Sequence, residues 1–160
     1  MKKIGLFLSL MLAVLFCAQG LWAASPKKVA VYVEGDVTTG EANVVNSAVM
    51  SRVSNSKDYQ GFERNREFIN ALMKEHDYQL SGEVSDKEIR KIGERFGVDY
   101  VITVVVTTDD ESTYMDARLL NLESGQVIKS VNSDREGTGL KVLKPLANNV
   151  AYRLLSQKSR

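Results

Sequence analysis

The chain has one cysteine, one histidine and two prolines among 160 residues, and each scarcity closes off a class of chemistry. Cys17 is the single cysteine, so no disulfide can form within the chain, and the fold must stand on its apolar core. His76 is the single histidine, so any Ser-His-Asp triad must use it, and no G-x-S-x-G elbow supplies a nucleophile. It lies in Lys74-Glu75-His76-Asp77, near the end of a predicted helix, where the helix dipole favours a cation. Zinc sites draw on several His or Cys residues, so the common ones are missing. No charge of one sign dominates: 21 basic residues face 20 acidic ones, for a formal net charge of +1. No electrostatic footprint for nucleic acid or anionic lipid follows from such a balance. The reading at this point is no catalytic, cofactor-binding or metal-ligating residue, and no cofactor.

Long apolar stretches are confined to the start. Lys2 and Lys3 precede an apolar region from Ile4 to Phe16, followed by small residues around Ala18-Gln19-Gly20 and Ala23-Ala24-Ser25. This is the pattern of a secretory signal peptide, and residues 1–24 are read as one. An uncleaved anchor is the alternative, but the apolar region is short for a bilayer span. Val14-Leu15-Phe16-Cys17 also resembles in part a lipoprotein signal, with Phe16 standing where a small residue belongs. Lipidation at Cys17 is therefore a second alternative. Taking Lys2 and Lys3 from the 21 basic residues leaves 19 against 20 acidic ones, so the exported chain carries −1. Residues 25–160 form one domain by size, exported to the periplasm, with attachment to the outer membrane if Cys17 is modified.

The stretch Gly82–Thr108 organises that domain. Ser85 and Glu88 have capping-box spacing. Ile89, Ile92 and Phe96 then recur at helical spacing, and Gly97 stands where a left-handed residue ends a helix. Tyr100 to Val106 is β-branched and nearly all apolar, which predicts an inner strand covered on both faces. Upstream, Val29–Val33 reads as a strand. Thr38 and Glu41 form another capping box, opening a helix whose core stripe is Val45, Ala48, Val49 and Val53. Tyr59–Phe62 is a short strand, and Asn65 is a predicted N-cap for a helix with Phe68, Ile69, Leu72 and Met73 inward. Downstream, Thr113–Asn121 alternates: Met115, Ala117 and Leu119 on one face, Tyr114, Asp116 and Arg118 on the other. Gln126–Val131 is the last predicted strand, with Asn132–Gly139 as a polar loop. A final helix carries Leu140, Leu143, Leu146, Ala147, Val150, Ala151 and Leu154, and Pro145 interrupts it, so it starts properly near Pro145 or kinks there. The order β-α-β-α-α-β-β-β-α predicts an α/β fold of α+β character. It is a single mixed sheet of about five strands, with helices packed on it and a C-terminal antiparallel meander.

Two stretches invite tests for chemistry. Gly35–Gly40 has the G-x-x-x-x-G spacing of a phosphate loop between strand and helix, but Glu41-Ala42 replaces the Lys-Ser/Thr that holds phosphate and magnesium. Asp109-Asp110-Glu111 lacks the alternating ligands of a calcium loop and reads as a hairpin tip. Tyr114, Asp116 and Arg118 are the candidate partner surface, since Tyr and Arg suit protein interfaces, with a solvated sheet face as the plain alternative.

Three segments carry a family resemblance: Glu63-Arg64-Asn65 with Leu72 and Glu75; Ser81-Gly82 through Ile92-Gly93 to Phe96-Gly97-Val98-Asp99-Tyr100; and Tyr114–Leu120 followed by Glu123-Ser124-Gly125-Gln126-Val127. Together they resemble the periplasmic domain shared by the curli-secretion channel lipoprotein, the lipoprotein activator of penicillin-binding proteins and the amino-terminal domain of the Tol-system β-propeller protein. The resemblance spans about Lys28 to Leu155. It implies a non-enzymatic envelope protein that binds a protein partner or assembles with itself, and no partner-contact residue carries over. Val106–Thr113 is too short for the segments with which channel members build a barrel, so no pore is expected. The alternatives are a lipid-anchored accessory subunit of a secretion or cell-wall machine, and a small hydrolase with carboxylates gathered in space.

Overall fold

The computed structural model describes residues 25–79 and 86–156. Residues 1–24, with Cys17, lie outside them, and so do Ser85 and the side chains of Leu72, Met73, His76 and Glu88. In chain order the elements are β1 (Lys27–Gly35), α1 (Thr39–Ser54), β2 (Tyr59–Gly61), α2 (Asn65–Gln79), α3 (Asp86–Phe96), β3 (Tyr100–Thr108), β4 (Ser112–Asn121), β5 (Val127–Glu136) and α4 (Leu140–Leu155). They build one mixed sheet in the order β2-β1-β3-β4-β5. β1 runs parallel to β2 and β3, whereas β3, β4 and β5 form an antiparallel meander. Helical crossovers join the parallel strands, and tight links join the antiparallel ones, as connection length requires.

β3 is the middle strand, and its period of two divides the core. Ile102, Val104 and Val106 face one side with Val29 and Val31 of β1 and Met115, Ala117 and Leu119 of β4. α1 and α4 close this side with Val45, Val49, Leu146 and Val150, all at most 3% exposed. Val101 faces the other side with Ala30, Tyr32 and Leu120, under Phe68 of α2 and Ile89 and Ile92 of α3. Each large side chain buried this way contributes about 1.5–3 kcal/mol before chain entropy.

Two of the expected helix ends form, the box that opens α1 and the glycine that closes α3. Glu41 N–H donates to Thr38 Oγ1 at 3.3 Å, while Thr38 N–H donates to Glu41 Oε2 at 2.9 Å. Thr38 N–H, joined by Thr38 Oγ1, which donates to the same oxygen at 2.8 Å, holds the Glu41 carboxyl below its ordinary range. α3 ends at Gly97, with φ of 68°, and Val98 N–H reaches back to the Gly93 carbonyl at 3.1 Å. Gly35 is required for two reasons, the first being its φ of 104°. A β-carbon there would also lie 2.0 Å from the Val106 carbonyl oxygen, so the loop into α1 needs glycine for close strand packing.

Two expectations change, at β5 and at Asn65. β5 continues to Glu136 through residues read as loop, because β4 offers backbone partners as far as Ser112 and a solvent-facing strand needs no apolar side chains. α4 begins at Leu140, the first residue of its expected stripe, and does not wait for Pro145; what the ring removes there is one N–H, the would-be donor to Lys141. Asn65 does not cap its own helix. Its side chain crosses to β1, and the Arg64 carbonyl instead accepts the first helical bond, from Phe68 N–H at 3.1 Å.

Candidate partner-binding surface

α2 and α3 cover only part of the second sheet face. Ala30, Val101 and Leu120 are buried beneath them, but Val105 is half-buried and Thr107 is exposed. Over β4 and β5 that face is open. Tyr114, Asp116 and Arg118 therefore stand in a row at successive outward positions, as their alternation predicts. Across the ladder, Tyr114 lies between Thr107 and Asp134, Asp116 between Val105 and Asn132, and Arg118 between Thr103 and Ser130. The result is a polar terrace with one exposed ring, Tyr114 being 43% accessible.

The acidic hairpin tip fixes that ring. Asp109 Oδ1 accepts from Glu111 N–H at 2.9 Å and from Ser112 N–H at 2.6 Å, while Tyr114 Oη donates to Asp109 Oδ2 at 3.1 Å. The two amides hold the Asp109 carboxyl below its ordinary range, and the bond to Asp109 pushes the Tyr114 phenol up. Asp109 thus serves as a turn-former and an anchor for Tyr114.

Beside Asp116 and Arg118 lies an open cavity of about 460 Å³, bordered also by Val105, Ser130, Asn132 and Arg153. Arg153 comes from α4, on the opposite side of the sheet, and reaches round the rim to donate from Nη1 to the Asn132 carbonyl at 2.5 Å. Lys129 of β5 answers in the other direction, donating to the Ser156 carbonyl at 2.9 Å and to that of Arg153, so it closes the helix C-terminus. Sequence reasoning missed Arg153. The stripe of Val150, Ala151 and Leu154 marks it as lying off the core, but no local pattern says that this position meets β5.

A second cavity, about 320 Å³, lies at the β2 end between Lys28, Gln60, Glu63, Arg64 and Phe96. The Arg64 guanidinium sits 5.8 Å from the ring centroids of both Phe62 and Phe96. Asn65 follows it into the core. Its Oδ1 accepts from Val31 N–H at 2.8 Å, and its Nδ2 donates to the Val31 carbonyl at 3.0 Å. The Glu63-Arg64-Asn65 segment therefore builds a corner of the fold. Each of these two cavities contains a single carboxylate, Asp116 in one and Glu63 in the other. Among the described residues no group of three or more His, Cys, Asp or Glu converges as a metal site would require, and no helix is long and apolar enough to cross a membrane.

No protein-family model matches this sequence, and no curated protein sequence does. Solved structures do match in fold. The LpoB C-terminal domain from Salmonella enterica is 14% identical with a TM-score of 0.50, over 78% of this chain and 93% of that one. A PelC dodecamer from Paraburkholderia phytofirmans is 16% identical at 0.53, over 82% and 90%. TolB from Acinetobacter baumannii is 13% identical at 0.50, over 82% of this chain and 29% of that one. At such identities the likeness is one of architecture. It agrees with the broad group that the sequence motifs imply and selects no member of it.

Proposed function

We propose that this chain is an exported, non-enzymatic module of the cell envelope. It binds another protein, or further copies of itself, through the open face around Tyr114, Asp116 and Arg118. The observation that carries the reading is the half-covered sheet: two helices bury one end of the face, and the other end presents an ordered Tyr-Asp-Arg row to solvent. Such a row has the residue types that anchor protein interfaces. The two cavities described above hold one carboxylate apiece, where acid-base hydrolysis uses a pair, which supports binding over catalysis at these two places. The resemblance to periplasmic domains supports placement in the envelope. The likeness in fold to PelC, solved as a dodecamer, supports assembly as one form of the binding. In this reading residues 1–24 are removed on export and residues 25–160 are the working domain.

A photo-crosslinking residue in place of Tyr114, compared in cells with one in place of the exposed Ser47 on α1, tests the proposal. A discrete adduct from position 114 alone is the expected result. Diffuse or equal crosslinking from both positions would sink it.

A further inference from the structure

β5 is the last strand of the sheet, and among the described residues no strand lies beside its outer edge. A bulge opposite Leu119 and Leu120 displaces Ile128, after which the edge is regular from Lys129 to Glu136. Its phase is set at the loop, where Gly137 N–H donates to the Glu111 carbonyl at 2.7 Å. Val131, Ser133 and Arg135 therefore exchange backbone bonds with β4, while Ser130, Asn132 and Asp134 turn their amides and carbonyls outward. The bond from Arg153 to the Asn132 carbonyl agrees with that phase.

We infer that this edge is a docking strip for an extended, acidic segment of a partner protein. The segment pairs with the backbone of Ser130, Asn132 and Asp134 and sets a carboxylate against Arg153. The inference rests on the protein-binding reading above and gives it a mode. A strand laid beside β5 turns every second side chain toward the open face, where the 460 Å³ cavity lies. That cavity is bordered by two guanidinium groups, Arg118 and Arg153, and one carboxylate, Asp116; Arg118 is already engaged, so the cation that an entering carboxylate meets is Arg153, whose bond runs to a neutral carbonyl. A second copy of this chain fits poorly in the register centred on Asn132, because antiparallel pairing of β5 with itself there would place Lys129 opposite Arg135 and bring the two Arg153 side chains together. Arg153 thus deters self-pairing of a long exposed edge and selects the partner that replaces it.

Selection of a random peptide library displayed on phage against the protein tests this. Recovered peptides should carry Asp or Glu at a fixed alternate position and should slow hydrogen exchange at Ser130, Asn132 and Asp134. They should bind about tenfold more weakly to Arg153→Gln, with Arg153→Lys retaining part of the affinity. Asn132→Pro removes only an outward N–H, so the variant should fold and lose binding. Recovery of no peptide, of peptides without acid, or of peptides whose binding survives Asn132→Pro would overturn the inference. Crosslinks from Tyr114 that persist in Asn132→Pro would likewise defeat the edge while leaving the face reading intact. Absence of discrete Tyr114 crosslinks would remove both.

Discussion

At one rim of the sheet, β2 contributes only three residues before the chain turns away, and side chains continue its work. Phe62 N–H donates to the Val29 carbonyl, the Asn65 amide meets both backbone groups of Val31, and Asn46 Nδ2 adds a second donor to the Val31 carbonyl at 3.0 Å. At the other rim, β5 is ten residues long, and two polar links tie it to α4. The difference lies in what covers each rim. α2 packs over β1 and excludes water, so every backbone group beneath it needs a protein partner. β5 borders solvent, its outward groups pair with no strand among the described residues, and the Asn132 carbonyl accepts from Arg153. The closed rim therefore serves stability, and in the proposed binding reading recognition falls to the open one.

The largest effect expected from breaking this contrast is at Asn65, which is 8% exposed. Asn65→Ala should orphan a buried N–H and remove one donor from the Val31 carbonyl, for a loss of about 2–4 kcal/mol in urea unfolding. Asn65→Asp should not rescue it, because a carboxylate cannot donate to that carbonyl. A loss under about 1 kcal/mol would mean that the β2 rim does not need its amide clasp. Next comes a pair of proline substitutions on β5. Val131→Pro removes a ladder bond to β4 and should cost about 1–3 kcal/mol, whereas Asn132→Pro should stay within about 0.5 kcal/mol. Equal costs would show that the edge phase is wrong. The last effect shows only in alkali, away from ordinary working pH. Burial, helped by the nearby Glu34 carboxylate, pushes the Tyr32 phenol up from 10.0 to about 12. Its contribution is complete below pH 10 and is lost as pH climbs through 12, because only the unfolded chain releases the proton readily in that window. Tyr32→Phe should flatten that part of the stability curve, and a Tyr32 that titrates near 10 by ultraviolet difference spectra would exclude the shift.

The sheet's interior could be read from residue types because its causes are local. β-branched residues from Tyr100 to Val106 suit a pleated strand buried on both faces, and the Thr38–Glu41 box opens α1 with no help from elsewhere. The second half of β5 could not be read in the same way. Asn132, Ser133 and Asp134 have no apolar period, and they are extended because β4 lies beside them. Asn65 misled for a related reason. Its position suits an N-cap, but a buried pair of backbone groups on β1 claims its amide. The row of Tyr114, Asp116 and Arg118 was visible as alternation, while Arg153, which borders the same cavity, was not.

Residue order alone determined the fold class, the inner position of β3, the cap of α1 and the scarcity of catalytic side chains. Those depend on composition and on periods of two and 3.6 residues, which act within a few positions of the chain. Tertiary structure alone decided which half of a sheet face stays bare, which rim is clasped and where Arg153 lands. Those depend on contacts between distant segments, such as Asn65 with Val31, 34 residues apart, and such contacts are set by how helices pack over strands rather than by any local pattern.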